Sequence, residues 1–208
     1  MYTLYGYRGS GSAMVEAALL LAGQPFRQID AAEWDAASAL AELRALNPLA
    51  QIPTLLLPDG AVLSESAAIL IHLGLTHPDS GLLPTDATGR AQALRGLVYI
   101  AANCYAAIGV IDYPQRFCDE PDEALRRRII ATTRKRLHGL WDDFADSFGA
   151  GLKTEPPDAL ALMACVVSRW SGTRPHLAAA RPALHAALLR IEQHAAVAPV
   201  FARHWPVS

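Results

Sequence analysis

Residues 51–70 read QIPTLLLPDGAVLSESAAIL, and no other stretch restricts the fold of this chain as strongly. Two short apolar runs, Thr54 to Leu57 and Ala61 to Leu63, flank Pro58-Asp59-Gly60. Those three residues suit a tight turn: proline presets φ, aspartate bonds its own backbone, and glycine accepts positive φ. The runs therefore read as a hairpin. A helix follows directly, from about Ser66 to Leu73, with Ser64 or Ser66 available as its cap.

The preceding residues extend this into a βα pattern. Tyr2 to Tyr5 is a β-rich run, and Ala13 to Ala22 is helical with Gly23 at the stop position. Phe26 to Ile29 reads as a second strand. AASALAELRAL, from Ala36 to Leu46, reads as a helix that ends before Asn47-Pro48. The order is β-α-β-α-β-β-α. HPDSGLLPTDATG then interrupts the pattern with proline and glycine and reads as a linker.

Beyond the linker only helical periodicity remains. Leu125, Ile129, Ile130, Leu137, Leu140, Trp141 and Phe144 recur at helical spacing. Arg126 to Arg128 and Arg134 to Arg136 mostly occupy the remaining face, which reads as a solvated surface. Later helices run from about Ala159 to Arg169 and from Pro182 to His194. The division is an α/β domain over residues 1–77, a linker over 78–88 and an all-helical domain over 89–208.

Composition narrows the function. The 208 residues carry a net charge of −2, which argues against a nucleic-acid surface. The sequence shows no signal-peptide pattern, and no run approaches the ~18 uninterrupted apolar residues of a membrane span. Cys104, Cys118 and Cys165 are widely spaced, with no C-x-x-C pair, so neither a metal nor a disulfide is expected and a reducing cytoplasm fits.

Two motifs make the layout specific. NPLAQIPTLLLPDGAVLSESAAIL spans Asn47 to Leu70, and LYG runs through a Ser/Gly turn into a helix closing with LAGQPF. Together they resemble the cytosolic glutathione S-transferase family, particularly its bacterial members. The resemblance implies a thioredoxin-like N-terminal domain plus an all-α C-terminal domain. It also implies glutathione as co-substrate, conjugated to a small hydrophobic electrophile or used to reduce a peroxide, a role in detoxification, and a homodimer.

It further implies a set of residues. Ile52-Pro53 stands where the family places a cis-proline, which leaves the backbone of Ile52 to bond the cysteinyl part of glutathione as an added strand would. Glu65 and Ser66 open a helix, where an acid can pair with the γ-glutamyl ammonium and free amides suit its carboxylate. Locally, a plain cap with a favourable first-turn acid reads equally well. Gln51 reaches the same end of the peptide. Trp34 lies along the glycyl arm or covers the sheet edge, and Arg8 or Arg44 serves the glycyl carboxylate, since the N-terminal half has no lysine.

The first loop must keep glutathione as its thiolate, the nucleophilic form. A thiol of pKa ~8.5 is only about 3% ionised at pH 7, and lowering that pKa by ~2 requires ~2.7 kcal/mol. A helix dipole supplies ~0.3–1 kcal/mol. A hydrogen bond to the anion supplies ~1.5–3 kcal/mol, so a donor must point at the sulfur. Aligned with the cysteine-type bacterial pattern, Gly11 stands in the cysteine position, flanked by Ser10 and Ser12. Aligned with the tyrosine-type pattern, Tyr5 takes the tyrosine position, although it also reads as the end of a buried strand. Ser10 is the first candidate and Ser12 the second, with N-capping as the structural alternative for Ser12.

The second-substrate pocket is expected from Tyr7, Tyr99, Asn103 and Tyr105, with Tyr113 and Trp170 nearby. Each also reads as ordinary packing, and Asn103 as an amide bonded to a neighbouring helix. Asp158 reads as a cap whose capping-box partner is missing, because Ala161 stands at the reciprocal position. A non-catalytic binding protein and a glutathione-dependent isomerase or dehalogenase share all of these motifs.

Overall fold

The computed structural model of the chain describes residues 1–119 and 122–206. β1 (Tyr2–Gly6) and β2 (Phe26–Asp30) run parallel, connected by α1 (Ser12–Leu21). β3 (Thr54–Leu56) lies antiparallel to β1 on its other side, and β4 (Val62–Leu63) extends the sheet as the hairpin partner of β3. The strand order is β2-β1-β3-β4. With α2 (Leu40–Leu46) and α3 (Ser66–Thr76), this is a thioredoxin-like sheet and its helices.

Strand alternation sorts β1 between two cores. Leu4 points into the main core with Met14, Leu55 and Leu70. Tyr5 points the other way, into a small cluster with Ala31, Leu43 and Ala50 beneath α2.

α2 begins at Leu40 and not at Ala36. The Ser38 hydroxyl donates to the Asp35 carbonyl at 2.6 Å and accepts the Ala32 amide at 3.0 Å, while Asp35 accepts the Ala37 amide. These local bonds hold a turn in place of the first helical turn. α3 runs past Leu73 to Thr76, because nothing breaks it before His77-Pro78.

The helical part contains α4 (Ala87–Tyr99), a π-helical segment (Ile100–Tyr105) and α5 (Ala106–Asp112), which form one continuous helix. By length and composition alone that helix is long and apolar enough to cross a membrane, although Arg90, Gln92, Arg95 and Asn103 interrupt its apolar residues, as a buried core helix permits. Here Leu97, Ile100, Cys104 and Ile108 bury one side of it in the core. α6 (Glu123–Phe148) follows and buries Leu137, Trp141, Phe144 and Phe148. α7 (Ala159–Val167) is buried along its whole length and packs against α1, α3, α4 and α9 (Pro182–Gln193). α8 (Thr173–Ala180) and α10 (Ala198–His204) complete the chain, with α10 against α1. One hydrophobic core runs from Tyr2 to Phe201 and joins the sheet to the helices.

Candidate functional site

The segment ahead of β3 is cross-braced by Asn47, a buried amide. Its Nδ2 donates to the Gln51 carbonyl at 3.2 Å and to Thr54 Oγ1 at 3.0 Å, and its Oδ1 accepts the Leu49 amide. Thr54 Oγ1 donates in turn to the Gln51 carbonyl at 2.8 Å. The Ile52–Pro53 peptide is cis, as the resemblance implies. Pairing between β1 and β3 stops at Tyr5 and Thr54, and the Ile52 amide and carbonyl bond nothing among the described residues. An extended ligand can pair with that edge as a strand does. The Gln51 side chain is exposed beside it.

The hairpin returns the chain to Glu65 at the start of α3. Glu65 has φ 66° and ψ 111°, a left-handed conformation rare for a residue with a side chain. Neither Ser64 nor Ser66 caps the helix, and its first-turn amides meet no side-chain acceptor among the described residues. An uncapped helix start beside an exposed carboxylate suits a ligand carrying both a carboxylate and an ammonium.

The first loop is tied inward. Ser10 Oγ donates to the Tyr7 carbonyl at 2.7 Å and accepts the Ser12 amide at 3.2 Å. Ser12 Oγ lies 2.9 Å from Ser10 Oγ and accepts the Tyr7 amide at 3.3 Å. The N-cap of α1 is Gly11, not Ser12. Ser12 is fully buried against Gly6, where an added Cβ would collide with the Ser12 Cβ and Oγ. Both serine hydroxyls therefore serve the loop's own backbone. The space in front of the loop belongs to Gly11. A Cβ built there would stand 2.5 Å from the Tyr105 hydroxyl and 3.5 Å from Pro53 Cδ.

A model of the glutathione S-transferase N-terminal domain matches residues 12–75. The chain is 35% identical over 142 residues to the uncharacterized GST-like protein YncG of Escherichia coli K12, covering 68% of each. The chain belongs to the glutathione S-transferase family. It is also 42% identical over 93 residues to a probable maleylacetoacetate isomerase of Caenorhabditis elegans, covering 43% of this chain and 42% of that protein. In fold it matches a Sulfitobacter glutathione transferase homologue with bound glutathione, at TM-score 0.81 and 24% identity over 96% of each chain.

The other candidates spread across this glutathione S-transferase fold. The Tyr5 hydroxyl donates to Glu42 Oε1 at 2.5 Å in the small core, and burial first, then Glu42, push its pKa up to about 12. It is committed to α2. Tyr7 donates to Asp35 Oδ2 at 2.8 Å and packs edge-on against the exposed Trp34, with ring centroids 5.7 Å apart. Tyr7 thus joins the β2–α2 connection instead of the helical aromatic residues. Tyr99 donates to the Leu140 carbonyl at 2.9 Å and packs on Phe144 and Phe148. Asn103 bonds the Tyr99 carbonyl of its own helix at 3.1 Å and not a neighbouring helix. Tyr105 packs against Trp170 at 5.6 Å, whereas Tyr113 lies under Arg116. Arg44 is exposed on α2. Arg8 lines a cavity of about 390 Å³ with Glu16, Asp30 and Arg203. Among the described residues no group of three or more His, Cys, Asp or Glu could hold a metal.

Sequence reasoning missed the back of the first loop. The Gly9 amide donates to His204 Nδ1 at 3.2 Å, and His204 Nε2 lies 3.1 Å from Glu16 Oε2. Arg203 pairs with the other Glu16 oxygen. A ring that accepts at Nδ1 and donates at Nε2 is neutral. Burial, followed by the Arg203 charge, lowers the His204 pKa to about 4. No local pattern signals a contact between residues so far apart in the chain; Asn47, by contrast, stood inside a motif already singled out.

Proposed function

We propose that the protein is an active glutathione transferase, and the observation that carries this reading is the unpaired Ile52 backbone placed between the uncapped start of α3 and Gly11. The cysteinyl part of glutathione pairs with Ile52, and its γ-glutamyl end meets Glu65, Ser66 and Gln51. Trp34 and the Tyr7 ring flank the glycyl arm. The sulfur then faces the Pro53 and Gly11 corner, where the Gly11 amide bonds nothing else among the described residues. Ser10 and Ser12 shape this corner, since each would have to leave the Tyr7 backbone to reach the sulfur.

In the reaction the thiol proton passes to solvent. The thiolate pair forms the bond to an electrophilic carbon, and the leaving group departs with its own electron pair. Tyr105 and Trp170 give the helical part an aromatic wall for a small hydrophobic electrophile. In this reading residues 1–77 hold glutathione, residues 89–208 hold the second substrate, and the protein acts as a cytoplasmic homodimer in detoxification.

The test is calorimetric titration with glutathione, together with the ultraviolet absorbance of its thiolate and turnover of 1-chloro-2,4-dinitrobenzene. Binding, a thiolate signal and release of chloride are the expected results. Binding with no thiolate signal at any accessible pH would identify a binding protein instead. The isomerase relative supports a second reading, in which the thiolate adds to a conjugated double bond, rotation follows, and elimination returns glutathione. Turnover of such a substrate without consumption of glutathione distinguishes the two.

A further inference from the structure

We propose that Tyr105, delivered from the helical part of the chain, is the hydroxyl that bonds the glutathione sulfur in place of a side chain from the first loop. This inference rests on the reading of the site as a glutathione site and adds the donor that the reading leaves open.

Five observations lead to it. The first loop has a glycine where the alignment calls for a donor side chain. The Tyr105 oxygen stands 2.5 Å from where the Gly11 Cβ would be, so it fills the volume that a side chain there would occupy. Other hydroxyls near the corner are engaged: Ser10 and Ser12 on Tyr7, Tyr5 on Glu42, and Tyr7 on Asp35. The Tyr105 hydroxyl has no hydrogen-bond partner among the described residues. Finally, Tyr105 is the last residue of the π-helical segment, a distortion that re-aims side chains and recurs at functional sites.

The surroundings suit a donor. Trp170 backs the ring, which limits the conformations open to the phenol. Burial, followed by the charges of Asp112 and Glu65, raises the Tyr105 pKa, so the phenol keeps its proton at neutral pH. A hydroxyl that stays protonated donates to a thiolate and does not compete with it for the proton. With the Gly11 amide it gives the sulfur two donors, one from each part of the chain.

The experiment is the ultraviolet titration of bound glutathione on the wild-type protein, Tyr105→Phe, Gly11→Ala and Ser10→Ala, with circular dichroism to confirm the fold and calorimetry to confirm binding. Tyr105→Phe is expected to bind glutathione but to raise its thiol pKa by about one to two pH units, the value of a hydrogen bond to an anion. Turnover at neutral pH should fall roughly 10- to 100-fold and recover at higher pH. Gly11→Ala should raise the thiol pKa as well, because its methyl group displaces the phenol. Adding Gly11→Ser to Tyr105→Phe should restore part of the loss by supplying a hydroxyl from the loop. A wild-type thiol pKa in Tyr105→Phe overturns the inference and leaves the glutathione reading standing. So does a rise confined to Ser10→Ala, which would make the serine the donor. Failure of the wild-type protein to bind glutathione overturns the reading itself, and this inference with it.

Discussion

The two walls of the site are built in opposite ways. The wall from Asn47 to Ser66 is local: Asn47 braces Gln51 and Thr54, the latter only seven positions away, and the hairpin returns the chain to α3 within one turn. The wall from Tyr7 to Ser12 borrows its surroundings. Its front is closed by Tyr105, and its back is held by His204, 195 positions from Gly9. A local wall can be lost by one substitution within it. A borrowed wall fails when the packing of distant helices changes, even with every loop residue intact.

Three substitutions sharpen that contrast. Asn47→Ala removes three hydrogen bonds and strands buried partners, so it should cost about 2–4 kcal/mol in denaturant unfolding. It should also weaken glutathione binding more than any change at the opposite wall. Equal loss from the opposite wall would break the comparison. Gly6→Ala should cost about 1–3 kcal/mol, because the methyl group overpacks against the fully buried Ser12. Wild-type stability there would mean that the loop moves freely off β1.

His204→Ala should cost about 1–2 kcal/mol and expose the Gly9 amide to hydrogen exchange, with the Asn47 wall unchanged. Its pH dependence follows from linkage. The folded imidazole titrates near 4 against its ordinary 6.5, so the native state favours the neutral ring. That stability is present above pH 6.5 and is lost as pH falls through about 4. Acid should therefore release the first loop before the braced segment, a sequence that exchange measured at several pH values will show or refute.

The smallest effect lies outside both walls. Asp158 caps α7 through the Ala161 amide at 2.8 Å, and desolvation raises its pKa to about 6. Asp158→Ala should cost about 1 kcal/mol. Because the folded pKa is raised, the group's contribution is full below pH 3.8 and is lost as pH rises through about 6. Asp158→Asn keeps the acceptor and should flatten that dependence. An unchanged pH profile in Asp158→Asn would refute the assignment.

Legibility followed the same division. The hairpin, the strands and the βα order could be read because turn chemistry and alternation act between neighbours. Gln51, Ile52, Pro53, Glu65 and Ser66 could be proposed together because a single motif carries them. Ser10, by contrast, has a hydroxyl that suits a ligand as well as it suits the Tyr7 carbonyl, and only the fold chooses between them. Tyr7 could not be sorted between a ligand pocket and packing for the same reason. The start of α2 was misplaced because Ser38 and Asp35 form a turn that alanine-rich propensity does not reveal.

By itself the sequence determined the family layout and the local wall, since those depend on residues that meet within a few positions. Tertiary structure alone decided what fills the space beside Gly11. A glycine specifies only an absence, and the group that occupies it depends on where a π-helical turn comes to rest in three dimensions.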